Sequence, residues 1–182
     1  MIIMARRKKA GSIILRTSLE TSGVNYQSTS IDISALVDVP KGEVLLIKRA
    51  WITFSSDNNN NCPSGTDWPV AGATGADSQV TAMANALTQT TMTPMANADA
   101  IVKSYLVGHV DPNQNWDLFE IINLMRPQEY SDGMYIATDQ IHCACDVGVA
   151  LQQEIECSFV FECETVTLSR EQALDLAVSL QQ

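Results

Sequence analysis

One stretch, Ile155–Thr167, constrains the fold more than any other. Ile155, Cys157, Phe159, Phe161 and Cys163 occupy odd positions, while Glu156, Ser158, Glu162 and Glu164 occupy even ones, and as far as Glu164 only Val160 breaks the polar face. A period of two is the signature of a β-strand with one face in a core and the other in water. At about 3.3 Å per residue this strand spans roughly 40 Å, and a strand that long needs partners along its whole length. The chain must therefore build a sizeable sheet.

The rest of the sequence reads as strands broken by turn formers. Residues 31–39 and 43–54 alternate on either side of Pro40-Lys41-Gly42, where proline presets φ and glycine accepts positive φ, so 31–54 is expected to be a hairpin. Residues 17–30 are Ser/Thr-rich and read as an extended connection along a sheet edge. Strand patterns follow at 99–110, 116–125, 134–138 and 140–146, with Gly148–Leu151 as the expected reversal into the long strand. For 116–125 a helical spacing also fits, but Pro127 and Ser131-Asp132-Gly133 frame it like the neighbouring strands. The insertion 55–99 is rich in Ala, Thr and Asn with few charges, which suits contact with another protein. Within it, Asp77 or Ser78 could cap a short helix carrying Val80, Met83, Ala84 and Leu87. At the end, Ser169 as N-cap, Gln172 three residues on, and Leu168 against Ala173 form a capping box with its staple, followed by an apolar stripe of Ala173, Leu176, Ala177 and Leu180. A helix this short must dock on something. The pattern predicts an all-β antiparallel sandwich or barrel of about eight strands. It divides as an arm and connection over 1–30, the β-domain over 31–167, and a C-terminal helix over 168–182.

Charge is distributed unevenly. The net charge is −10, yet Arg6, Arg7, Lys8, Lys9 and Arg16 supply five of the eleven basic residues. Residues 17–182 hold six basic and twenty-one acidic groups, 6 − 21 = −15. A basic arm on an acidic body either contacts phosphates, of nucleic acid or lipid headgroups, or frays in solvent. No apolar run approaches the ~20 residues of a spanning helix, and Ser12–Leu15 is too short for the apolar core of a secretory signal.

Few residues suggest chemistry. Cys143 and Cys145 share a strand face, as do Cys157 and Cys163, and a reversal near Ala150 would set Cys157 opposite the first pair. These thiols could form a cross-strand disulfide, or a zinc site with His142, but Cys-x-Cys within a strand fits zinc poorly. Buried cysteines acting as small apolar residues are the favoured reading. His109 and His142 stand 33 residues apart with no nucleophile or metal motif around them. Glu156, Glu162 and Glu164 read as a solvated strand face rather than a glycosidase pair, and Asp57 with Asn58–Asn61 as a loop rather than a calcium site. No cofactor, metal, small-molecule substrate or enzymatic activity is expected.

The basic arm, the sandwich, the long low-charge insertion and the docking helix together resemble the single jelly-roll capsid proteins of icosahedral viruses. The resemblance is architectural and implies a virion protein that tiles a shell with copies of itself and other capsid proteins. It implies that Arg6, Arg7, Lys8 and Lys9 contact a neighbour, the genome or an internal membrane. It also implies that 55–99 and the helix, through Leu176 and Leu180, contact neighbouring subunits. On an acidic body with a cationic arm, the acidic face of 155–167 is expected to point away from whatever the arm binds, toward the exterior or a neighbouring subunit. The alternative is a virion spike, a phage fibre or a carbohydrate-binding sandwich, with Trp51, Trp68 or Trp116 as sugar platforms if exposed.

Overall fold

The structure, a computed structural model, describes residues 6–7, 11–56, 63, 78–94, 96–110, 116–148, 151 and 153–180. Among these are ten strands: β1 (Arg6–Arg7), β2 (Ile13–Glu20), β3 (Gln27–Asp32), β4 (Glu43–Ser56), β5 (Ser78–Asn85), β6 (Ala100–Val110), β7 (Trp116–Met125), β8 (Met134–Ile136), β9 (Gln140–Val147) and β10 (Ile155–Thr167). One helix follows, α1 (Arg170–Ser179).

All strand pairs are antiparallel and form two five-stranded sheets. In the first, β10 lies between β4 on one side and β2 and β1 on the other, and β8 flanks β4. The second runs β3-β9-β5-β6-β7. The pairs β2–β10, β3–β9, β4–β8 and β5–β6 nest inside one another, as if one long hairpin had been rolled up. That nesting makes the sandwich a jelly roll, and β7 is an extra strand on the edge of the second sheet.

The long strand has the expected bounds. Ile155, Cys157, Phe159, Phe161 and Cys163 are fully buried, and all thirteen residues pair with β4, with a bulge at Glu162/Cys163. The strand expected at 116–125 is β7, and the terminal helix carries the full Ser169–Gln172 capping box.

Four expectations are corrected. Residues 31–54 are not a hairpin: β3 pairs β9 in the second sheet and β4 pairs β10 and β8 in the first, so Asp32–Gly42 crosses between sheets. The Pro-Gly turn is present as a 3-10 turn at Val39–Lys41, closed by Gly42 at φ +79°. Residues 17–20 and 27–30 are strand, in β2 and in the edge strand β3, and only 21–26 connects them. In β2, Ile13, Leu15, Thr17 and Leu19 turn inward, and the polar outer face masked the alternation. Residues 78–85 are a central strand rather than a helix. Val80, Ala82 and Ala84 are buried on one face and Thr81, Met83 and Asn85 on the other, so no alternation could show. The outer face is covered by segment 86–99, which folds back over it. The Thr93 amide reaches Met83 Sδ at 3.2 Å, Asn85 Nδ2 donates to Thr93 Oγ1 at 2.9 Å, and Lys103 Nζ donates to the Thr93 carbonyl at 2.8 Å. Finally, β9 and β10 lie in different sheets, so the connection after Gly148 is a crossing and not a tight reversal.

Gly133 shows how tightly the β8 turn abuts β4. It sits at φ +74°, and a Cβ there would drive into the Ile47 carbonyl. Gly133→Ala is expected to cost more than about 1 kcal/mol of stability, read as a lowered denaturant midpoint, whereas Gly11→Ala, with open space around it, should be near neutral.

Candidate assembly surfaces

The N-terminal arm is tied to the central strand. Arg6 pairs Thr167 and Arg7 pairs Val166, so β1 prolongs the β2 side of β10 at the end where β10 finishes. Lys8 and Lys9 lie outside the described residues. Arg6 and Arg7 thus lie beside the end of the strand that carries Glu162 and Glu164. Those carboxylates are partly neutralised: Lys48 Nζ lies 2.6 Å from Glu164 Oε2 and Arg49 Nη1 lies 3.6 Å from Glu162 Oε2. Ser12 Oγ also donates to Glu162 at 3.2 Å. With the Arg49 side chain 60% exposed, its pair adds little stability.

The same outer face carries an apolar patch. On the even face of β10, Val160 registers between Trp51 of β4 and Arg16 of β2. Trp51 is 40% exposed, and Ile14, on the neighbouring row, is 46% exposed. Trp68 and the side chain of Trp116 fall outside the described residues.

A second uncovered region lies on the edge of the other sheet. Ile121 registers with Leu106, which in turn registers with Val80, so it continues an inward-facing row. Leu106 is buried but Ile121 is 47% exposed. The facing sheet runs out there, because its flanking strand β8 has three residues against ten in β7.

The helix docks on its own sandwich. Leu180 is 6% exposed and Leu176 packs against the same core, near the 3-10 turn at Val39–Lys41 and β8. Both expected subunit-contact residues therefore hold the helix down, and its outward apolar residues are Leu174 and Val178. The alternating stripe was legible, but sequence could not say which body it docks on.

His142 lines a cleft of about 620 Å³ between the β3–β4, β5–β6 and β8–β9 connections. Its Nε2 lies 3.1 Å from Thr88 Oγ1. Partial burial holds the imidazole below its ordinary pKa, against the opposing pull of Asp139. Cys143, Cys145, Cys157 and Cys163 are buried free thiols, and no cluster among the described residues could hold a metal ion. Cys157 meets Cys145, one member of the expected pair, but across the sandwich rather than across a hairpin, and the Cys145 contact and burial together push its pKa up. Burial raises Cys143, and pushes Cys163 up to about 12. Neutral, desolvated thiols are poor nucleophiles and poor metal ligands. Cys62, the Asp57–Asn61 run and the side chain of His109 lie outside the described residues. A thiol reagent mapped by mass spectrometry is expected to spare these four cysteines in native protein and label them only in denaturant.

No family model and no curated protein matches the chain. Among solved structures it is similar to VP1 of the Trichodysplasia spinulosa-associated polyomavirus. The match to VP1 in complex with GM1 oligosaccharide has a TM-score of 0.53 at 7% identity, covering 92% of this chain and 99% of that one. The match to the complex with 3'-sialyllactose has a TM-score of 0.51 at 7% identity, covering 92% and 99%. The match to the complex with sialylated precision glycooligomers has a TM-score of 0.50 at 8% identity, covering 91% and 98%. At such identity the likeness speaks of architecture alone: this chain has the jelly-roll fold found in a viral capsid protein.

Proposed function

We propose that the chain is a structural subunit of a virus capsid, located in the virion, that assembles with copies of itself and other capsid proteins. The observation that carries this reading is a complete jelly roll that leaves apolar residues uncovered on several separate surfaces. Trp51 and Ile14 lie on one sheet, Ile121 and Ile122 on the edge of the other, and Leu174 and Val178 on the helix. A monomer gains nothing from such surfaces in several directions, whereas a tile in a closed shell needs contacts on more than one side. The cationic residues Arg6, Arg7, Lys8 and Lys9 are the contact for a neighbouring subunit, nucleic acid or the headgroups of an internal membrane. Its role is structural rather than enzymatic.

A second reading is a carbohydrate-binding sandwich. Trp51 supports it, as an exposed indole on a sheet face, with Val160 between it and Arg16, is a platform for a sugar ring. The polyomavirus structures above hold sialylated or GM1 oligosaccharides; that ligand class is a hypothesis for this chain. Light scattering and negative-stain microscopy of the purified protein, across concentration and salt, separate the two readings. Discrete particles are expected. A monomer under every condition, with glycan-array binding abolished by Trp51→Ala, would replace the shell with the sugar-binding reading.

A further inference from the structure

The two sheets converge where β2 turns into β3. Leu19 and Glu20 end β2 beside β10, Gln27 begins β3 beside β9, and only residues 21–26 separate them. The turn is closed by the Asn25 amide, which donates to the Ser22 carbonyl at 3.1 Å. It is clasped to the start of β10 by Glu154, whose carboxylate accepts from Thr21 Oγ1 and, at 3.1 Å, from the Gly23 amide. The Thr21 amide adds a bond to the Ile155 carbonyl at 3.0 Å, and the Ile155 amide donates to Thr21 Oγ1 at 2.9 Å.

Under this corner each sheet contributes a thiol. Cys157 of β10 pairs with Leu19 and Cys145 of β9 pairs with Gln27, so they stand at matching heights on facing layers. Both are fully buried, and their side chains are hydrogen-bonded to each other. The Cys145 thiol also reaches the Glu20 carbonyl, on the strand next to Cys157, at 3.7 Å. Facing sheets ordinarily stand about 10 Å apart, whereas a disulfide needs Cα atoms within about 7 Å. At this end the turn draws the layers together, and Cα atoms of β2 come within 8 Å of those of β3 and β9. The other two described cysteines lie away from the corner: Cys143 pairs with Thr29, further along β9, and Cys163 with Ile13, further along β10.

We propose that Cys145 and Cys157 are a redox switch, an inter-sheet disulfide that a small-molecule disulfide closes and a small thiol reopens. One cysteine, as thiolate, attacks the oxidant, forming a mixed disulfide and expelling one small thiol. The second then attacks the protein sulfur of that bond and expels the other. Two hydrogens and two electrons pass from the pair to the oxidant, which leaves as two thiols. Reduced, the pair is core filling; closed, it ties β9 to β10 and locks the corner of the sandwich. The oxidant reaches the pair when the 21–26 turn lifts, and the Glu154 clasp sets how often that happens.

The test equilibrates the full-length chain carrying Cys62→Ser for days in mixtures of reduced and oxidised glutathione. It starts both from reduced native protein and from denatured chain refolded in the same mixture. Fragmentation mass spectrometry after alkylation is expected to show one bond, Cys145 to Cys157, with Cys143 and Cys163 alkylated, from both starting points. Half-closure should need at least about tenfold less oxidised glutathione in native buffer than in denaturant, because a bond that stabilises the fold is stabilised by it in return. The denaturant midpoint should rise on oxidation and return on reduction. Cys145→Ala should abolish the rise and Cys143→Ala keep it, while Glu154→Ala should speed closure about tenfold. The bond and the midpoint are read without any core substitution, so a variant that fails to fold leaves the test standing. A native chain that stays reduced in mixtures that link the denatured one overturns the proposal. So does a bond from Cys143 or Cys163, or closure that lowers the denaturant midpoint.

Discussion

Everything in this molecule depends on β10 being paired on both sides. Its thirteen residues hydrogen-bond to β4 on one side and to β2 and β1 on the other, while one face sends Ile155, Cys157, Phe159, Phe161 and Cys163 into the core. Backbone groups buried in a sandwich must be paired, and only a central strand satisfies both rows at once. The two phenylalanines fill the space between the sheets. Removing Phe159 would open a cavity facing both layers, which places the strand among the costliest positions to alter. Cys157 and Cys163 add small apolar volume to the same face. Lys48 reaches Glu164, so even the one acid that β10 holds almost buried is charge-paired.

How much of this could be read beforehand depended on whether a strand had one wet face. Strand β10 alternates because its outer face meets solvent, and its bounds were legible to the residue. Strand β5 is covered on both sides, by the core and by segment 86–99, so its small and apolar residues run without a break and imitate a short helix. Strands β2 and β3 were hidden for the opposite reason, as Ser and Thr sit comfortably on an exposed sheet face yet also dominate loops. The false hairpin at 31–54 came from treating neighbours in sequence as neighbours in a sheet. A jelly roll pairs the first strand with the last, and nothing local in a sequence announces that. The capping box of α1 was legible because it is local chemistry, and the body on which the helix docks was not.

The surfaces left open follow from unequal strand lengths. Where β8 stops after three residues and β7 continues for ten, the inward row ends at the exposed Ile121. Beyond β8, the Gln128 amide takes the place of a strand partner for Ala50. Exposed edges invite association, a hazard for a monomer and an asset for a protein that must find its own copies. Trp51, beside Val160, and Leu174 and Val178 of α1 leave further apolar surface exposed elsewhere.

Strand β10 is the strand on which the sandwich stands, and the edges are its loose parts. Native-state hydrogen exchange in rising denaturant tests it most directly, since each amide then reports the free energy of the opening that exposes it. The amides of Cys157–Cys163 are expected to exchange only through global unfolding, and those of β7 through smaller openings at lower free energy. Amides of β10 that exchange as readily as those of β7 would contradict it.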